Sequence, residues 1–113
     1  MNQSLPDMTS LREEIVNTAQ KAYREGMMAA TSGNLSCYDA ASGCIAITPS
    51  GMDYTIMKPE DIVIIDLDGN VLSGHKPSSE WKMHAEIYRH LPQYRAIVHT
   101  HSPNATAYAV LRK

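Results

Sequence analysis

The sequence predicts an α/β domain: a mostly antiparallel central sheet with helices packed on it. Three observations carry that prediction. Two stretches have a strand–turn–strand form, Leu35-Ser36-Cys37-Tyr38 with Cys44-Ile45-Ala46-Ile47-Thr48, and Ile62-Val63-Ile64-Ile65-Asp66-Leu67 with Val71-Leu72. Turn chemistry joins each pair, Asp39-Ala40-Ala41-Ser42-Gly43 in the first and Asp68-Gly69 in the second. Helix-periodic segments flank them, and 113 residues at 43% apolar and 19% charged content suffice for one domain with one modest core.

Residues 1–8 are polar, broken by Pro6, and read as a loose arm. A helix is expected over residues 10–25: Ser10 and Glu13 have capping-box spacing, Leu11, Ile15, Ala19 and Ala22 share one face, and Gly26 stands where a helix stops. Ala30-Thr31-Ser32-Gly33-Asn34 is small and polar and leads as a loop into the first hairpin. Thr48-Pro49-Ser50-Gly51 marks a second turn. The run from Ile62 is β-branched, as a buried strand requires. Lys76-Pro77-Ser78-Ser79-Glu80 opens a second helix that runs to about His90 with Met83 and Ile87 on its apolar stripe, and Pro92 ends it. Residues 94–101 read as a strand, and Ser102-Pro103-Asn104 as the turn into a third helix carrying Ala107, Val110 and Leu111. No internal repeat or linker divides the chain.

The formal net charge is −2 and the basic residues are scattered, so the electrostatic footprint of a nucleic-acid binder is missing. No apolar run reaches membrane-spanning length. The start lacks the basic and apolar regions of a signal peptide, which leads to an expected cytoplasmic location with Cys37 and Cys44 as free thiols.

Two constellations carry chemistry. In His99-Thr100-His101, strand alternation turns both imidazoles to one side, about 6–7 Å apart along the backbone. Both rings can then reach one ion; imidazole suits zinc and other late first-row metals. The alternative is two ordinary histidines at a strand end. Glu80 is the candidate third ligand, although a carboxylate at a helix start is also explained by the helix dipole. His84, one turn on, could also point toward the site, but is read as a surface or packing histidine; His75 and His90 carry no motif. The second constellation is three small polar turns, Gly33-Asn34, Ser50-Gly51 and Ser78-Ser79. Glycine lets backbone approach an anion, and serines at a helix start place N–H donors and the positive dipole end toward a phosphate.

The order Thr31-Ser32-Gly33-Asn34-Leu35-Ser36, Thr48-Pro49-Ser50-Gly51, Lys76-Pro77-Ser78-Ser79-Glu80, His99-Thr100-His101-Ser102-Pro103 resembles the class II aldolase/adducin family, in its L-fuculose-phosphate aldolase branch, from about residue 10 onward. The resemblance implies that Glu80 is the catalytic acid/base and approaches a zinc ion (Zn2+) held by His99 and His101. It implies that Gly33, Asn34, Ser50, Gly51, Ser78 and Ser79 line a phosphate pocket, and that the active protein is a homotetramer with sites between subunits. Family members are longer, and a further zinc-binding histidine is expected beyond Lys113. The implied reaction is cleavage of L-fuculose 1-phosphate to dihydroxyacetone phosphate and L-lactaldehyde. A ribulose-5-phosphate 4-epimerase is the near alternative, and the Glu at position 80, where that branch usually has Asp, tilts toward aldolase. A non-catalytic adducin-like module is the other, against which the retained Glu80, His99 and His101 argue.

Overall fold

The computed structural model describes residues 8–26, 33–101 and 106–111, with side chains as far as His99. The loose arm expected over residues 1–8 lies outside them except for Met8. Helix α1 spans Thr9–Arg24. Strands β1 (Asn34–Asp39) and β2 (Cys44–Ile47) form the first hairpin. Two short 3-10 turns, Tyr54–Ile56 and Pro59–Asp61, lead to the second, β3 (Val63–Asp66) and β4 (Val71–Ser73). Helix α2 (Trp81–His90) then crosses to β5 (Ala96–His101), which turns back into β6 (Thr106–Leu111). The sheet order is β4-β3-β2-β1-β5-β6, with every neighbouring pair antiparallel.

Strand alternation sorts the core into two layers. One face presents Leu35, Cys37, Cys44, Ala46 and Ile64 to the buried stripe of α1, Ile15, Val16, Ala19 and Ala22. The other presents Tyr38, Ile45, Ile47, Val63, Ile65 and Ile97 to Ala85 and Tyr88 of α2. There the Tyr38 ring stacks on Tyr88, with centroids 4.8 Å apart. Cys37 and Cys44 are buried and are not joined in a disulfide.

Three local expectations are corrected. Helix α1 begins one residue early, with Met8 as N-cap and no side-chain cap bond, so Ser10 caps nothing. Met8 is buried in the core, and that anchoring outweighs the capping-box signal. Helix α2 starts at Trp81 rather than at the Pro77 segment, because Pro77 is drawn into an isolated bridge with Pro49. The third helix is a strand: β6 lies along the whole of β5, from Ala96↔Leu111 to His101↔Thr106. Thr106, Tyr108 and Val110 suit a strand, and pairing satisfies the backbone groups that β5 would otherwise leave open on that edge. The turn expected at Ser102-Pro103-Asn104 lies outside the described residues.

Candidate functional site

The three polar turns converge because Thr48 ties them together. Regular pairing of β1 with β2 would set Leu35 opposite Thr48, one step beyond Ser36↔Ile47. The Thr48 N–H does donate to the Leu35 carbonyl, at 3.0 Å. The Leu35 N–H, however, donates to the Thr48 hydroxyl, at 3.2 Å, rather than to its carbonyl. That carbonyl accepts instead from the Ser78 N–H at 2.9 Å, and Ser50 N–H donates to the Lys76 carbonyl at 3.0 Å. One buried threonine thus joins β1, the turn after β2 and the approach to α2.

The product is a cleft of about 420 Å³ lined by Gly33, Asn34, Ser50, Gly51, Ser78, Ser79 and Glu80, together with Pro49, Met52 and Tyr54. All six residues of the expected anion cradle, and the expected acid/base, border this one space. Its volume is that of an ordinary small-molecule site. Gly33 and Gly51 have φ of +86° and +69°, the left-handed region that favours glycine, so both turns need the residue they have.

Not every expected donor is available. The N–H of Ser78 is committed to Thr48, that of Ser50 to Lys76, and that of Glu80 to the Ser78 hydroxyl oxygen at 3.2 Å. The cleft therefore offers an anion its serine hydroxyls, the Asn34 amide and the glycine turns, rather than the open helix terminus that the Ser78-Ser79 pattern suggested. Glu80 is the N-cap of α2 and makes no side-chain cap bond, so its carboxylate is not used as a cap.

His99 is buried in β5, directly across from Asn34 in the β1–β5 register. Cross-strand partners share a face, so His99 lies on the α2 side of the sheet, the side that Glu80 leads into. His101 closes β5 two positions later; its side chain lies outside the described ones. An imidazole and a carboxylate fit the donor chemistry of zinc. Among the described residues no three His, Cys, Asp or Glu stand close enough together to hold a metal. His75 and His90 are exposed, and His90 lies 4.0 Å from Glu86.

Sequence reasoning missed three contributors. Thr48 is one. Tyr54, on the first 3-10 turn, donates its phenol to the Gly33 carbonyl, and its pKa is pushed up to about 12 by burial. The third is a buried polar chain. His84 Nδ1 lies 2.6 Å from Ser36 Oγ, which lies 2.7 Å from the Tyr88 phenol, and His84 Nε2 bonds Asn34 Oδ1. The expectation that His84 packs holds in that it is 0% exposed, but its ring is fully engaged in polar contacts. Burial first, and His99 second, push its pKa down to about 4. Long-range hydroxyl-to-backbone bonds have no period, so no sequence signal marks them. The His84 spacing, one turn after Glu80 on a helix, was the only visible hint.

Comparison with known proteins follows the same lines. The Class II Aldolase and Adducin N-terminal domain matches residues 13–113. The chain is 48% identical over 101 residues to the 5-deoxy-D-ribulose 1-phosphate aldolase of Bacillus thuringiensis serovar kurstaki, covering 88% of this chain and 47% of that protein. A solved L-fuculose 1-phosphate aldolase superposes with a TM-score of 0.79 at 36% identity, over 91% of this chain and 47% of that one. The L-fuculose-1-phosphate aldolase of Thermus thermophilus gives 0.69 at 30% identity, over 83% and 48%. The chain thus spans about half the length of the relatives it matches.

Proposed function

Since the chain belongs to the class II aldolase and adducin family through its N-terminal domain, we propose that it carries the phosphate-binding and acid/base portion of a zinc-dependent aldolase acting on a ketose 1-phosphate. The observation that carries this reading is the convergence of Gly33, Asn34, Ser50, Gly51, Ser78, Ser79 and Glu80 on one cleft.

The serine hydroxyls, the glycine turns and the Asn34 amide hold the phosphate, which fixes the reacting carbons relative to Glu80. The Glu80 carboxylate, at the rim and not engaged as a cap, moves a proton to and from carbon. Glu80, His99 and His101 are the residues of this chain that would hold zinc. When bound, that ion supplies Lewis-acid stabilisation of negative charge on the ketose oxygens. Zinc sites of this kind want a further ligand, expected outside this chain, and a homotetramer with sites between subunits is the assembly we propose. The buried free thiols accord with a cytoplasmic setting.

L-fuculose 1-phosphate, cleaved to dihydroxyacetone phosphate and L-lactaldehyde, is one substrate reading. The higher identity to a protein named for 5-deoxy-D-ribulose 1-phosphate favours that sugar as a second. The two share the phosphate-bearing half and differ at the far end, so the cleft serves either. Parallel assays of both ketose phosphates separate the readings. In a full-length version, Glu80→Gln, which keeps an oxygen donor for the ion but cannot carry the proton, is expected to lower aldol cleavage by roughly 10²–10⁴-fold while zinc is still bound through the two histidines. Unaltered turnover removes Glu80 from the mechanism.

A further inference from the structure

We infer that His84 is a positioning residue for Asn34, holding its amide so that the nitrogen rather than the oxygen faces the cleft. This rests on reading the cleft as an anion cradle. The argument is one of hydrogen-bond direction. The partners of the His84 ring are Asn34, Ser36 and Tyr88 through Ser36, none of them a carboxylate, and the ring is wholly buried. A buried imidazole without a counter-charge is neutral, so one nitrogen donates and the other accepts.

Two directions are then available. In the first, Nε2–H donates to Asn34 Oδ1, Nδ1 accepts from the Ser36 hydroxyl, and Ser36 Oγ accepts from the Tyr88 phenol. Every hydroxyl hydrogen is used. In the second, the Asn34 amide is turned over, Nδ1–H donates to Ser36, and Ser36 donates to the Tyr88 oxygen. The hydrogen bond of the phenol runs to Ser36. The Tyr88 hydrogen is then turned away from Ser36, its hydrogen-bond partner, in a layer of buried apolar side chains. Were Ser36 instead to accept from both Nδ1–H and the Tyr88 phenol, its own hydroxyl hydrogen would be the one left over. Buried polar hydrogens are almost always paired, which selects the first direction.

Tyr88, anchored in the core, thereby sets the polarity of a chain ending at the cleft. With its oxygen held by His84, Asn34 presents N–H donors to a bound oxyanion; turned over, it would present a repelling carbonyl. The residue that decides this never touches the ligand.

Long-range ¹H–¹⁵N correlation on the unmodified protein reads the His84 tautomer directly. Protonated Nε2 is the expected result, and protonated Nδ1 overturns the inference whatever the cleft binds. Titration with inorganic phosphate, followed at the Asn34 side-chain amide, reads the consequence. His84→Gln, which can still donate where Nε2–H did, should keep phosphate affinity within about threefold. His84→Leu should lose roughly tenfold or more, the worth of one hydrogen bond to a charged group. Wild-type affinity in His84→Leu, or equal loss in both variants, overturns the positioning role. If the leucine variant does not fold, the tautomer and the glutamine variant still decide. Phosphate that shifts no cleft residue in the unmodified protein refutes the anion cradle, while the tautomer separately reports which way Asn34 is turned.

Discussion

Thr48 makes a sharp prediction because its two parts do different work. Its hydroxyl accepts the Leu35 N–H at 3.2 Å in place of a ladder carbonyl, and the residue is 1% exposed. Thr48→Val keeps the volume and deletes the acceptor. The Leu35 N–H, in a buried stretch of β1, then has lost its partner, at a cost of about 1–3 kcal/mol. The Thr48 carbonyl is held by the Ser78 N–H, so turning it toward Leu35 would strain the approach to α2. Thr48→Ser does the reverse: it keeps the acceptor and removes one methyl group, about 1 kcal/mol. Urea unfolding reads both. The valine variant should have the lower midpoint, by roughly 0.5–2 M at an unchanged slope typical of a small domain. A valine variant as stable as the parent, or more stable than the serine variant, would refute the claim that this hydroxyl substitutes for a backbone carbonyl.

Tyr54→Phe removes the phenol that holds the Gly33 carbonyl, for about 0.5–1.5 kcal/mol of stability, and should also weaken phosphate binding in a titration; unchanged binding detaches Tyr54 from the cleft. His84 has a folded pKa of about 4 against an ordinary 6.5, so between these values the unfolded chain binds the extra proton. Its contribution to stability is complete above pH 6.5 and is lost as pH falls toward 4, at up to about 1.4 kcal/mol per pH unit. His84→Gln should flatten that part of a stability-against-pH curve. Gly51→Ala forces alanine into the left-handed region in open space, for about 1–2 kcal/mol. Gly69→Ala adds a collision with the ring of Trp81, the one tryptophan, so only this second variant should also shift the fluorescence emission.

What the sequence revealed and what it hid divide along a physical line. The first helix, both hairpins and the strand ending at His101 were legible because alternation, helical spacing and Asp-Gly turn chemistry are written within each segment. The segment from Thr106 was misread because Ala107, Val110 and Leu111 fit a helical face as well as a strand, and the deciding partner is the neighbouring strand β5. Pro77 was misread for a similar reason: its partner, Pro49, is remote in sequence. In the site, the chemistry of the three small turns was readable one by one. Their convergence came with the resemblance, since it depends on a threonine hydroxyl replacing a carbonyl. Of the polar chain through Ser36, His84 and Tyr88 only the spacing of His84 from Glu80 showed, because each of those residues looks ordinary alone.

The sheet order has a last consequence. Four of its five strand pairings join neighbours in the chain, whereas β1 meets β5 only after α2 has crossed over. That seam closes the longest loop, and it is where Asn34 stands opposite His99. A ligand gripped from both strands would act as a clasp on the joint that is entropically hardest to close. Occupancy would then be felt as resistance to unzipping along this one line, with the β1–β2 and β5–β6 pairings on either side left nearly indifferent.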